Sequence, residues 1–93
     1  MTREIARQAR VMGRVQGVAF RVWTQAAARR QGLRGWVHNN DDGSVTTLLV
    51  GAEDAVKAML LALRDGPGAA AVRDVLVEEL EDLPDVEGFE ITG

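Results

Sequence analysis

Ninety-three residues make one domain, near the size at which a single apolar core can hold a fold without disulfides or metals. Hydrophobic residues make up 46% and charged residues 27%, an ordinary globular balance, while an aromatic share of only 4% argues against a base-stacking surface. The absence of cysteine excludes disulfides, thiolate zinc sites and a cysteine nucleophile, and one histidine cannot build a metal cluster alone, so a metal site is not expected.

The start, Met1 to Arg7, has no apolar signal core, and no apolar run reaches the roughly 18 residues of a membrane span, which points to a cytoplasmic protein. Charge is unevenly distributed. Residues 1–35 carry eight arginines against one glutamate, +7, and residues 36–93 carry three basic and thirteen acidic groups, −10. The early segment either attracts an anionic ligand or is a solvated face balanced by the acidic part in three dimensions.

In chain order, residues from about Ala6 to Arg14 read as a first strand, with Ala9 and Val11 alternating with arginines and Met12 on the other face. Val22 to Gln31, rich in alanine and glutamine, reads as a helix stopped by Gly32. Leu33 to His38 forms a strand that runs into Asn39-Asn40-Asp41-Asp42-Gly43, a hairpin loop, and Ser44 to Val50 returns as a β-branched strand. Ala55, Val56, Met59, Leu60 and Leu63 fall at helical spacing, with Glu53 and Asp54 at the start and Gly66-Pro67 as the stop. Val72 to Leu80 is a further strand in which Val75 and Val77 share a face, and Phe89 and Ile91 suggest a short last strand. The order is β-α-β-β-α-β plus an edge strand. This is an α+β, ferredoxin-like sandwich with two helices on one face of an antiparallel sheet.

Fold alone does not name a function. Between the first strand and first helix lies Gly13-Arg14-Val15-Gln16-Gly17-Val18-Ala19-Phe20-Arg21. Two glycines let the backbone curl so that amide N–H groups face one point, and the helix adds its positive end, an arrangement that suits an oxyanion. Arg21 can supply a planar, permanently charged fork for phosphate oxygens. The same segment also reads as an ordinary structural turn, and it is not a Walker A loop because Gly-Lys-Ser/Thr is missing. Arg14 reads as a solvated strand-end residue, and Gln16 and Val18 are expected to act through their backbone amides. Asn39, at a strand end, can hold a water through its amide or simply make the turn. His38 should face away from the apolar side, and Trp23 and Trp36 read as core or rim packing.

Gly13 to Arg21, Trp23-Thr24-Gln25, Gly32-Leu33, Gly35-Trp36-Val37-x-Asn39 and Asp42-Gly43-Ser44-Val45 closely resemble the acylphosphatase family. The match runs on through Gly51 to Val56, Gly66-Pro67-Gly68 and Phe89-Glu90-Ile91, covering essentially the whole chain. The resemblance implies hydrolysis of carboxyl-phosphate anhydrides in which the loop of Arg14, Val15, Gln16, Gly17, Val18 and Ala19 cradles the phosphate, Arg21 binds its oxygens, and Asn39 positions the attacking water. His38 departs from the family's usual longer polar or basic residue. The partners implied are a small acyl phosphate and inorganic phosphate, with neither nucleic acid nor membrane. No apolar stripe stands out, so a monomer is expected.

Other functions remain open on the same fold. An RNA-recognition domain carries aromatic residues on its central strands, and this chain has no tyrosine and only two phenylalanines besides its tryptophans. Acylphosphatase-like domains also begin the carbamoyltransferases that mature hydrogenases, but no zinc-finger cysteines follow here, so a stand-alone enzyme is expected. A sensor retaining the phosphate cradle is the third alternative.

Overall fold

The computed structural model describes residues 3–93; Met1 and Thr2, part of the charged start considered above, lie outside them. Strand β1 (Glu4–Arg14) begins two residues before the alternation could be read, because Ile5 and Ala6 are both buried, one on each face of the sheet. Helix α1 (Phe20–Arg30) starts earlier than its alanine-rich stretch, with Phe20 buried as its first residue and Arg21 therefore in its first turn. It ends as the sequence suggests. Gly32 takes φ 73°, its N–H donates to the Arg29 carbonyl, and Leu33 N–H reaches back to the Ala28 carbonyl, the paired bonds of a Schellman cap.

The hairpin is β2 (Arg34–Asn39) and β3 (Val45–Ala52), in register from Arg34 opposite Val50 to Asn39 opposite Val45. All of β3 except Ala52 is buried, which is why its sequence is a continuous β-branched and apolar run. Helix α2 (Glu53–Asp65) turns Val56, Met59 and Leu63 into the core. Strands β4 (Ala71–Leu80) and β5 (Phe89–Ile91) complete a sheet of order β4-β1-β3-β2-β5. All pairings are antiparallel except β2 with β5, which run parallel from Gly35 beside Phe89.

Both helices lie on one face. Their core joins Val11, Phe20, Val37, Leu49, Met59, Leu63 and Phe89, all at most 2% exposed. On the opposite face Ala6, Leu48 and Val50 are covered by Trp36, Leu80 and Val86. The arrangement is the expected α+β sandwich. β4 departs from its expected pattern: Val75 is buried, but Val77 is 41% and Leu76 51% exposed. An edge strand has neighbours on one side only, so alternation there does not ensure cover.

Phe89 ties the three-residue β5 to the core, and its carbonyl accepts a hydrogen bond from Gln25 Nε2 at 2.9 Å. Phe89→Ala is expected to cost about 3–5 kcal/mol, the range for emptying a buried aromatic site, measured as a lowered urea midpoint at unchanged m.

Candidate active site

β1, α1 and the end of β2 meet at one end of the sheet around a cavity of about 170 Å³, lined by Val15, Gly17, Ala19, Phe20, Arg21, Val22, Asn39 and Ile91. The connecting loop is pinned at both ends by buried side chains, Val15 at 1% and Phe20 at 2% exposure. Between them the backbone turns left-handed twice, at Gly17 with φ 76° and at Ala19 with φ 61°. An alanine in that region costs about 1 kcal/mol or more, so the surroundings must enforce it.

The consequence is a set of free donors. Among the described residues no backbone N–H from Gln16 to Ala19 has a hydrogen-bond partner. Those of Phe20, Arg21 and Val22 are free as in the first turn of any helix, the earliest helical bond being Trp23 N–H to the Ala19 carbonyl at 3.0 Å. No side chain caps α1 and no acid lies in its first turn, so its positive end is not compensated locally.

Gln16 does more than its backbone was expected to do. Its Nε2 donates to the carbonyls of Asn40 at 2.8 Å and Ser44 at 2.9 Å, fastening the loop to the hairpin tip. The tip is ordered in turn by Asn40 Nδ2, which donates to Ser44 Oγ and Thr46 Oγ1, and by Asp42, which accepts from the Ser44 hydroxyl and N–H and pairs with Arg10. Val18 packs against the main core, and Arg14 points into a different pocket. Of the residues expected to form the site, Val15, Gly17, Ala19, Arg21 and Asn39 therefore line one cavity, whereas the side chains of Arg14, Gln16 and Val18 do not.

Arg21 and Asn39 are joined through Gly93. Gly93's carbonyl oxygen accepts from Arg21 Nη1 at 2.5 Å and from the Asn39 N–H at 3.0 Å, while Thr92 N–H extends the parallel ladder to the Val37 carbonyl. Asn39 Oδ1 is buried and has no hydrogen-bond partner among the described residues. A buried acceptor left unmet is costly, and Asn39 is one of the residues that line the cavity. His38 lies on the opposite face from buried Val37, as expected, but it is half-buried, stacked on Trp36 at 4.8 Å and bonded through Nε2 to Asn40 Oδ1 at 3.1 Å. Among the described residues no three His, Cys, Asp or Glu side chains gather in metal-binding geometry.

The sequence reading missed Val22, Ile91 and Gly93. Val22 carries a usable signal, an apolar residue beside Arg21 that is 61% exposed on a helix whose core face is Phe20, Thr24, Ala27 and Ala28. Ile91 and Gly93 carry none, because their place depends on the parallel pairing of β5.

A family model for acylphosphatase matches residues 7–91. An acylphosphatase of Mesorhizobium japonicum is 57% identical over 79 residues, covering 85% of this chain and 84% of that protein. The crystal structure of acylphosphatase from Bacillus subtilis superposes with a TM-score of 0.92 at 37% identity, covering 96% of this chain and 99% of the other. A full-length HypF in a phosphate- and nucleotide-bound form matches the whole chain with 12% of its own length, at a TM-score of 0.90 and 28% identity. The chain belongs to the acylphosphatase family.

Two outcomes follow from the site's supports. Gln16→Ala removes both clamps on the hairpin and is expected to lower stability by about 1–3 kcal/mol while weakening phosphate binding, read by urea unfolding and by phosphate inhibition. Asp42 is held at a pKa of about 2, chiefly by the Ser44 hydroxyl, then by the Ser44 N–H and Arg10. A depressed carboxylate pKa stabilises the fold above the ordinary value of 3.8 and loses that contribution as pH falls toward 2. In Ser44→Ala the Asp42 carboxyl is expected to titrate at higher pH than in the parent, followed by its carbon resonance in NMR.

Proposed function

We propose that the chain hydrolyses the carboxyl-phosphate bond of acyl phosphates, with Arg21 and the backbone amides of the 15–19 loop holding the phosphoryl oxygens and Asn39 orienting the water. The observation that carries this division of labour is the contrast at the two walls of the cavity. Arg21 and residues of the loop with unpartnered N–H groups line one part of the cavity, and Asn39, whose Oδ1 has no hydrogen-bond partner among the described residues, lines another. Donors suit phosphoryl oxygens; the acceptor suits a water O–H.

An acyl phosphate already has a good leaving group, so holding the phosphoryl group and aligning water in line are the main tasks. Water oxygen forms the new bond to phosphorus as the bond from phosphorus to the acyl oxygen breaks and its electron pair leaves on the carboxylate. The water proton passes to a phosphoryl oxygen, since no Asp, Glu or His is among the described residues that line the cavity. Val15, Phe20, Val22 and Ile91 supply the apolar part of the cavity lining. Arg14 and Val18 contribute through the loop's backbone, and Gly93, which accepts from Arg21, is a positioning residue.

The same reading has a single domain acting as a cytoplasmic monomer on small acyl phosphates, without metal or cofactor. Among the described residues, no helix is long and apolar enough to cross a membrane.

Benzoyl phosphate hydrolysis in the presence of a chelator tests the proposal. Arg21→Gln is expected to lose at least about 10²–10³ in rate and to bind phosphate poorly, by analogy with the loss of one oxyanion donor. Asn39→Ala is expected to lose turnover while keeping phosphate affinity. Equal loss of phosphate affinity in both variants would contradict the assigned roles, and an activity abolished by chelator would overturn the metal-free mechanism.

A further inference from the structure

A second pocket, of about 340 Å³, opens at the same end of the sheet and is lined by Met12, Gly13, Arg14, Asp42, Gly43, Ser44 and Arg73. Its shape depends on a bulge. Met12 pairs with Asp74 but Gly13 with Val72, so Arg73 is the extra residue of β4 and leaves the regular ladder. Gly13 permits this: with φ 130°, a Cβ there would lie 2.2 Å from the Ala71 carbonyl oxygen and 2.7 Å from the Arg73 nitrogen. The bulge thus places Arg73 in one pocket with Arg14, the residue directly before the cradle.

Neither guanidinium is neutralised. Among the described residues Arg3, Arg7, Arg10, Arg29 and Arg34 each meet a carboxylate, whereas Arg14 and Arg73 meet none. The acids nearby are already engaged. Asp42 pairs with Arg10 and accepts two bonds from Ser44, and Asp74 accepts from the Val75 N–H. Two exposed arginines converging on a pocket with no free acid form a site for an anion.

Arg14 lines this pocket, and Val15, its neighbour in sequence, lines the catalytic cavity, so one short stretch of backbone contributes to both. We infer that Arg73, with Arg14, is a specificity-determining pair that receives a second anionic group, a carboxylate, on the acyl moiety of the substrate. The inference rests on the hydrolytic reading above, and it names the substrate class: acyl phosphates whose acyl group is itself negatively charged.

The test compares benzoyl phosphate with 3-carboxybenzoyl and 4-carboxybenzoyl phosphates, which differ in the added carboxylate and its direction. Arg73→Gln is expected to lower kcat/KM for at least one carboxylated substrate about tenfold relative to benzoyl phosphate, through KM, the effect of losing one charge-assisted contact at an exposed site. Arg73→Lys is expected to recover part of that ratio. Benzoyl phosphate hydrolysis itself is expected to be unchanged in Arg73→Gln, which also shows that the fold is intact. Arg29→Gln, which removes the same charge from the last turn of α1, is expected to leave the ratio alone.

A ratio unmoved by Arg73→Gln overturns the inference. So does an equal change in Arg29→Gln, which would assign the effect to the diffuse field of the protein. Failure of the parent protein to hydrolyse benzoyl phosphate would instead overturn the hydrolytic reading on which the inference stands.

Discussion

Everything at the functional end of this molecule depends on keeping a row of backbone N–H groups without internal partners. From Gln16 to Val22 the chain leaves the sheet and enters a helix, and neither element takes up those donors. A loop in that state would ordinarily fold back on itself, since each donor gains by finding an acceptor. Here it is held open from three sides. Val15 and Phe20 are sunk in the core, Gln16 is clamped to two carbonyls of the hairpin tip, and Ala19 is kept in a left-handed conformation. The open loop is therefore a product of packing around it.

The opposite wall is built with equal dependence on distant residues. Asn39 sits at the end of β2, and its N–H is met by Gly93 only because β5 runs parallel to β2 along the outer edge of the sheet. The same Gly93 oxygen receives the Arg21 guanidinium. Phe89 anchors the strand that leads to this oxygen, so a residue of the core helps determine where the Arg21 side chain is held. The shortest element of the fold, three residues long, is thereby part of the site's support.

Charge follows the same logic of selective pairing. Of the eight arginines in the first 35 residues, five meet carboxylates: Arg3 with Glu53, Arg7 with Glu79, Arg10 with Asp42, Arg29 with Glu90 and Arg34 with Glu4. Exposed pairs of this kind contribute little stability individually, about 0–1 kcal/mol. Their effect is to neutralise most of the segment's positive charge. Arg14 and Arg21, which lack such partners among the described residues, stand at the end of the sheet that presents the free N–H groups. The reading of the basic segment as a surface balanced by the acidic part holds for the five paired arginines.

The amino-acid sequence by itself determined the element order, the Gly32 stop, the hairpin loop ending at Gly43, and the two blocks that carry Arg21 and Asn39. These are local matters, governed by side-chain periodicity, by positive-φ residues and by the spacing of motifs within a dozen residues. It also determined which helix faces are apolar, as Val56, Met59 and Leu63 show. Only the tertiary structure decided the rest. The parallel pairing of β5, the exposure of Val77 on an edge strand, the Gln16 clamp and the meeting of Gly93 with Arg21 all join residues far apart in the chain. Such contacts depend on which strands become neighbours and at what register, and that is settled by the burial of the whole core, for which no single stretch of sequence carries a signal.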